Sequence, residues 1–507
     1  MKIIRQSGRK TVLKYLLSYL SVSTLFICLV GYAANGPRGS DQFWYLSDVE
    51  TLLNNNPPLT NTLFPGTMVR ENIPIGKSYF LHHTPALYMV VPFAKCFGAY
   101  HGWIVLNILV GIAGASCVAY TVSMIASARL AVFAFSMFLL LPAAFWQSSN
   151  VLQESVFSFL MALIILLIVL SERFTWAWFG FIIATVLSSL FHPIFFVMAF
   201  AGLIYFFYSM KVENKESTTA LIVVAIGLVA LFGIKVMQPV WFPSGFQPSL
   251  KAIMLDSIPG NKMAWHLNLQ LPDVTTALLL DKVIYALKHQ FGFSSLSIFF
   301  WPANIMLVFL AFLPFCKREI KVKRLIFICV IILIPFCGMV VLHQNQFRYQ
   351  LFVLPVLIVV TAYVLNNTLH QNIRRKVATV IFGIVFASLL SVDMALAMHM
   401  RADGNAFQRA GDAAVEIMRD HVEEGDRILV VYHSHVLFFA HLAAPSKCLL
   451  LPQAGLDQDQ LRSLNKEFGA KWLFCDSDSE YKDAFHLKNE YRGFKEFFSN
   501  FSLYRLE

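Results

Sequence analysis

The sequence predicts a polytopic α-helical membrane protein that closes in a small α/β region. Three observations predict this. First, 57% of the 507 residues are hydrophobic and 14% are charged, with a mean hydropathy of +0.62. Soluble globular chains carry about 25% charged residues, so this chain is too apolar to be soluble along its length. Second, apolar runs near the roughly 20 residues that a spanning helix needs recur through most of the chain. Third, basic residues cluster between those runs: Lys2, Arg5, Arg9, Lys10 and Lys14; Lys317, Arg318, Lys321, Lys323 and Arg324; Arg374, Arg375 and Lys376. Such clusters mark cytoplasmic loops. They account for the formal charge of +10 without a basic stripe, which argues against nucleic acid as a partner.

About eleven spans follow in order, at residues 12–33, 102–123, 130–146, 153–171, 174–191, 193–209, 218–238, 295–315, 325–342, 350–366 and 377–397. The first has basic flanks but no small-residue cleavage site, so it reads as a retained signal anchor. With the amino terminus inside, Arg129, Arg173, Lys211, Lys215 and both later clusters fall on the cytoplasmic side. Segments 34–100, 239–294 and 343–349 and everything after about 398 fall outside. The expected organisation is a membrane domain over 1–398, with outer loops 34–100 and 239–294, and an extracytoplasmic α/β domain over 399–507. The implied location is a bacterial cytoplasmic (inner) membrane.

In the first outer loop, "KSYFLHHTPALYMVVPFAKCFG" carries an apolar stretch too short to span, which predicts a helix lying in the interface. Residues 239–294 mix Trp241, Phe242, Trp265 and His266 with prolines and acids, in keeping with a second interfacial cap. In the tail, "AFQRAGDAAVEIMRDHV" and "DQDQLRSLNKEFG" have helical periodicity, while "EEGDRILVVYH" and "AKWLFCDSD" read as buried strands. The eight cysteines show no metal-ligand spacing. Cys448 and Cys475 lie in the polar tail, where an oxidising compartment leaves a disulfide open.

Ionisable residues at the outer ends of spans are the candidate site. "GPRGSDQFWYLSDVETLL" follows directly on the first span, and its Asp41 stands at the membrane boundary beside aromatic rings. If that stretch is helical, Asp41, Tyr45 and Asp48 share a face at i, i+4 and i+7. A carboxylate held half-dry among rings is suited to general-base work on a hydroxyl or amine. Lys77, His82 and His83 precede the interfacial stretch and could contact a lipid phosphate. Arg348 lies in a short outer turn, against the positive-inside trend, and its fork suits phosphate. Glu154 and His192 stand at two further outer helix junctions. Each of these residues also has an ordinary reading, as a solvated loop acid or a headgroup-level cation. Their shared membrane face raises the functional one. No P-loop, GxSxG or HExxH is present, so a cytoplasmic nucleotide has no visible site.

Together these stretches resemble the GT-C superfamily of polyprenyl-phosphate-dependent glycosyltransferases. The likeness is strongest to the group of protein O-mannosyltransferases and the lipid A aminoarabinose transferase. "GSDQFWYLSDVETLL" is similar to that group's first outer loop, and "YFLHHTPALYMVVPFAKCFG" to its interfacial helix. "LPAAFWQSSNVLQESVFSFLMALIILL" resembles its third-to-fourth helix junction, with Glu154 where an Asp is usual. "NQFRYQLFVLPVL" resembles its late Arg-Tyr turn, which adds Tyr349 to the candidate substrate-binding residues. The resemblance implies that Asp41 deprotonates the acceptor while His82 or His83, with Arg348, holds the donor phosphate. The family's Lys at the His position is missing here, and Gln42 replaces the usual companion acid, which disfavours a divalent metal.

The expected activity is transfer of a sugar from a polyprenyl-phosphate donor to a glycan, lipid or protein acceptor at the outer face, with no further cofactor. A polysaccharide polymerase or ligase, a transporter and a non-catalytic binder of lipid-linked sugar remain alternatives. A transporter would favour midplane polar residues and repeat symmetry. A polymerase or ligase usually carries its large outer loop late in the chain.

Overall fold

A computed structural model describes residues 9–38, 40–54, 85–171, 173–174, 176–191, 193–212, 217–241, scattered positions between 275 and 288, 301–312, 351–368, 371–431, 448–451, 458–476, 487–496 and 499–506. Its helices are α1 (Arg9–Ala33), α2 (Ser40–Asn54), α3 (Pro85–Ile125), α4 (Ala128–Leu140), α5 (Pro142–Ser148), α6 (Glu154–Leu170), α7 (Trp176–Ser188), α8 (Pro193–Val212), α9 (Ser217–Trp241), α10 (Trp301–Phe312), α11 (Leu354–Thr368), α12 (Gln371–His421) and α13 (Gln458–Phe468). The strands are β1 (Ile428–Val431), β2 (Cys448–Leu451), β3 (Trp472–Asp476), β4 (Leu487–Glu496) and β5 (Ser499–Leu506). The expected span at 325–342 lies outside the described residues.

Among the described residues, three helical stretches are long and apolar enough to cross a bilayer: Leu13–Ala33, Pro85–Ile125 and Phe382–His421. α4 and α5 pass the same test together but bend by 56° where Pro142 opens α5. Proline lacks the N–H that would continue the ladder, so it starts a helix more readily than it prolongs one. Glu154–Leu170, Trp176–Ser188, Phe195–Ile204, Val224–Ile234 and Leu354–Asn367 are shorter apolar helices.

One boundary follows the sequence reading and one element differs from it. The short interfacial helix and the span at 102–123 are two helices, taken together as α3, that meet at a kink at Gly98 (φ 78°, ψ 162°). Only glycine adopts that backbone without steric cost, so the helix breaks where "KCFG" ends. At the other end, the span at 377–397 and the tail helix are continuous as α12. The connecting "MHMRADGN" contains no proline, and His399 pairs with Asp403 at 3.4 Å one turn apart.

The chain divides into two compact units. The first comprises Met1–Ala33, Ile104–Trp241 and Thr275–Met398. α6, α8 and the turn before α11 meet there in a buried aromatic cluster. Phe157 lies 6.1 Å from Phe195 and 5.4 Å from Phe352, centroid to centroid, and Phe195 lies 5.9 Å from Phe352. In a lipid-surrounded bundle such contacts act through dispersion and shape rather than release of water.

The second unit comprises Ala34–Trp103, Phe242–Val274 and His399–Glu507. It contains a five-stranded sheet in the order β2-β1-β3-β5-β4, with β2, β1 and β3 parallel and β5 antiparallel to both β3 and β4. Ile428, Leu429, Val430, Leu473, Phe474 and Leu503 fill its core. The register answers the question of the tail cysteines. β1 stands between β2, which carries Cys448, and β3, which carries Cys475. Two strand spacings and a three-residue offset put their Cα atoms roughly 14 Å apart, beyond the reach of a disulfide.

Candidate functional site

The second unit places α2 six residues after α1 ends, with Asp41 as its second residue. "SDQFWYLSDVETLLN" is helical as the spacing predicts, and its middle is buried rather than solvated. Tyr45 is 5% exposed, Asp48 1% and Gln42 3%. Leu46, Ser47 and Val49 are buried as well, so α2 is enclosed on more than one face. The Tyr45 ring packs against Trp103 on α3 with centroids 5.6 Å apart and planes 59° to one another. Buried rings on two helices fix the rotation of α2 about its axis. The backbone of Asp41 is placed; its side chain lies outside the described part.

A clasp precedes α2. The Asn35 amide donates to the side-chain oxygen of Asn405 on α12. Gly36 (φ +149°) approaches Gly404 so closely that a Cβ on it would lie 3.3 Å from the Gly404 carbonyl oxygen. Two residues further on, the Arg38 guanidinium faces Tyr100 of α3 and Asp403 of α12. Burial pulls the Arg38 pKa down, and the charge of Asp403 and the Tyr100 hydroxyl oppose that fall. Residues 35–38 are therefore tied to two helices immediately before the helix that bears Asp41. Sequence reasoning missed this clasp, whose partners are distant in the chain.

In the first unit, a polar belt surrounds the start of α6. The Gln147 amide donates to the Glu154 carboxylate at 2.8 Å. Asn107 of α3 donates to the Asn150 carbonyl at 2.7 Å. Gln147, Ser148, Ser149, Asn150, Gln153, Glu154, Ser155 and Ser158 are all buried. Among the described residues, the hydroxyls of Ser155 and Ser158 have no hydrogen-bond partner, and both residues line a cavity of about 10 Å³. So many polar groups in an apolar unit carry a desolvation cost. The sequence signal is the run "WQSSNVLQES", in which Glu154 alone stands out as ionisable.

Asp393 of α12 is also in the first unit. It is fully buried, and neither carboxylate oxygen has a hydrogen-bond partner among the described residues. Sequence reasoning passed over it, although a lone acid inside an apolar run is itself a functional signal.

The structure thus places Tyr45, Asp48 and the backbone of Asp41 on one helix and Glu154 in the polar belt. Lys77, His82, His83, His192, Arg348 and Tyr349 lie outside the described residues. Among the described residues, no group of three or more His, Cys, Asp or Glu side chains is arranged to hold a metal ion.

No family model and no curated protein matches the chain. Solved structures do. ArnT from Cupriavidus metallidurans bound to undecaprenyl phosphate matches at a TM-score of 0.59 and 13% identity, over 98% of each chain. The Archaeoglobus fulgidus oligosaccharyltransferase tethered with an acceptor peptide matches at 0.54 and 11% identity, over 90% of this chain and 69% of that one. The arabinofuranosyltransferase AftD from Mycobacteria matches at 0.51 and 13% identity, over 96% of this chain and 40% of that one. This protein therefore has the fold of the GT-C membrane glycosyltransferases.

Proposed function

We propose that this protein transfers a sugar from a polyprenyl-phosphate donor to an acceptor at the outer face of the cytoplasmic membrane. The observation that carries the reading is the match, over 98% of both chains, to an ArnT bound to undecaprenyl phosphate. Asp41 on a buried helix directly after the first apolar helix supports it.

In the proposed reaction Asp41 accepts the proton of the acceptor hydroxyl or amine as its oxygen or nitrogen bonds to the sugar's anomeric carbon. The bond from that carbon to the phosphate oxygen breaks with inversion, and polyprenyl phosphate leaves with the electron pair. His82 or His83, with Lys77, Arg348 and Tyr349, holds the donor phosphate. Tyr45, Asp48, Glu154 and His192 contribute to substrate binding. No step calls for a metal. The tail, 399–507, stands outside the membrane with the site.

Lipid mass spectrometry of a deletion strain tests the activity. A transferase that consumes a lipid-linked sugar leaves its donor behind when deleted, so one polyprenyl-phosphate sugar should accumulate and fall again on complementation. An unchanged donor pool contradicts the reading.

A further inference from the structure

We propose that a groove between α1, α4 and α12 binds one anionic glycerophospholipid of the cytoplasmic leaflet. It is separate from the candidate site and stands whether or not the chain transfers sugar. The groove has a volume of about 640 Å³ and is lined by Lys14, Ser18, Ser21, Val132, Ser136 and Phe386, among others. That volume falls in the range of small-molecule sites. Ring pairs tie the three helices together around it: Tyr19 with Phe135 at 4.9 Å and Phe133 with Phe382 at 4.0 Å.

Its walls are largely apolar. Ser18 donates to the Lys14 carbonyl at 3.0 Å and Ser136 to the Val132 carbonyl at 3.0 Å, so each hydroxyl hydrogen is satisfied within its own helix. Leu13 and Leu17 remain 55% and 53% exposed along the groove. Such a surface suits an acyl chain rather than a polar solute.

Charge selects the headgroup. All three helices that form the groove carry basic residues near their amino-terminal ends: Lys14, the sixth residue of α1 and part of the groove lining; Arg129, the second residue of α4; and, by position in the chain, Arg374, Arg375 and Lys376, the fourth to sixth residues of α12. Position 376 precedes Phe386 by ten residues, about 15 Å along a helix, which sets that stretch of backbone toward one end of the groove. No acid lies in the first turn of any of the three helices. An apolar groove with cations at its cytoplasmic end is the arrangement that binds anionic headgroups between membrane helices. By the positive-inside pattern, that end faces the cytoplasm.

The test uses the purified full-length chain in detergent, with phosphatidylglycerol and phosphatidylcholine of equal chain length as probes. Native mass spectrometry should show phosphatidylglycerol retained about thirtyfold more strongly, because two nearby cations contribute about 1 kcal/mol each. Lys14→Gln should cut that preference about fivefold. A photo-crosslinking phosphatidylglycerol should label peptides within 13–22 and 132–136. Equal retention of the two lipids, an unchanged preference in Lys14→Gln, or labelling elsewhere overturns the proposal. So does displacement of the bound lipid by stoichiometric polyprenyl phosphate, or by a second copy of the chain. If Lys14→Gln fails to fold, the headgroup preference and the labelling of the wild-type chain still decide.

Discussion

The side-chain amide of Gln147 donates to the carboxylate of Glu154 across 2.8 Å, and both residues are buried. Gln147 stands in the last turn of α5 and Glu154 opens α6, so this bond joins the two helices. A buried carboxylate that loses a donor bears the full cost of its desolvation. Gln147→Leu should therefore destabilise the detergent-solubilised protein by about 1–3 kcal/mol, read as a lower thermal midpoint. Glu154→Gln, which keeps a hydrogen-bonding partner of the same size, should lose less. Equal losses in the two variants would show that Gln147 acts through its volume rather than its amide.

The contact of Gly36 with Gly404 sets how closely residues 35–38 lie against α12. Gly36→Val places a Cβ 3.3 Å from a backbone oxygen and forces a branched side chain into a φ of +149°. Strain of that kind costs of order 1–3 kcal/mol. The variant should melt earlier and become sensitive to proteolysis at residues 35–39, near the start of α2. Gly233→Val, at a glycine with open space around it, is the control and should change little beyond propensity.

How much of this was legible in the sequence depends on the range of the interaction. Local patterns carried through. The stretch from Ser40 to Asn54 is helical, the helix breaks at Gly98, and β1 and β3 fall on the two apolar runs read as strands. Partners far apart in sequence did not. Nothing near Arg38 announces Asp403, and nothing near Gly36 announces Gly404, because contact across folded helices leaves no local spacing. The continuity of α12 was missed for another reason: "MHMRADGN" is polar and reads as a boundary, but polarity alone does not stop a helix. Asp393 was legible and overlooked.

Asp393 offers a direct separation of stability from function. Among the described residues the buried Asp393 carboxyl group has no hydrogen-bond partner, an arrangement that is destabilising and that an apolar residue of similar size relieves. Asp393→Leu should stabilise the protein by about 1–3 kcal/mol. If the carboxylate is retained for function, transfer falls while the melting temperature rises, which is the usual trade-off at working sites. A variant that melts earlier would show that the carboxylate has a stabilising partner after all.

Asp426 makes the carboxyl-terminal sheet sensitive to acid. Lys471 lies 2.6 Å from one of its oxygens, and the Trp472 indole donates to the other at 2.9 Å. Burial alone raises the Asp426 pKa, but the hydrogen bonds from Lys471 and Trp472 outweigh it and hold the group below the usual carboxylate range. A depressed folded pKa means that the unfolded chain binds more protons. The stabilisation is therefore present above the unfolded value, about 3.9, and is lost as pH falls through the folded one. Thermal midpoints should decline below about pH 4, and Asp426→Asn should flatten that limb. An unchanged acid limb in Asp426→Asn would assign it to other carboxylates.

The most direct test of the central claim is the mass profile of surface glycans and glycoproteins from a deletion strain complemented with wild type or with Asp41→Asn at matched expression. Loss of a base that accepts the acceptor proton should cost about 10²–10⁴ in rate. One sugar mass should therefore vanish on deletion, return with wild type and stay absent with Asp41→Asn. Full restoration by Asp41→Asn would contradict the assignment of Asp41 as the base, and a profile unchanged by deletion would contradict the transferase itself.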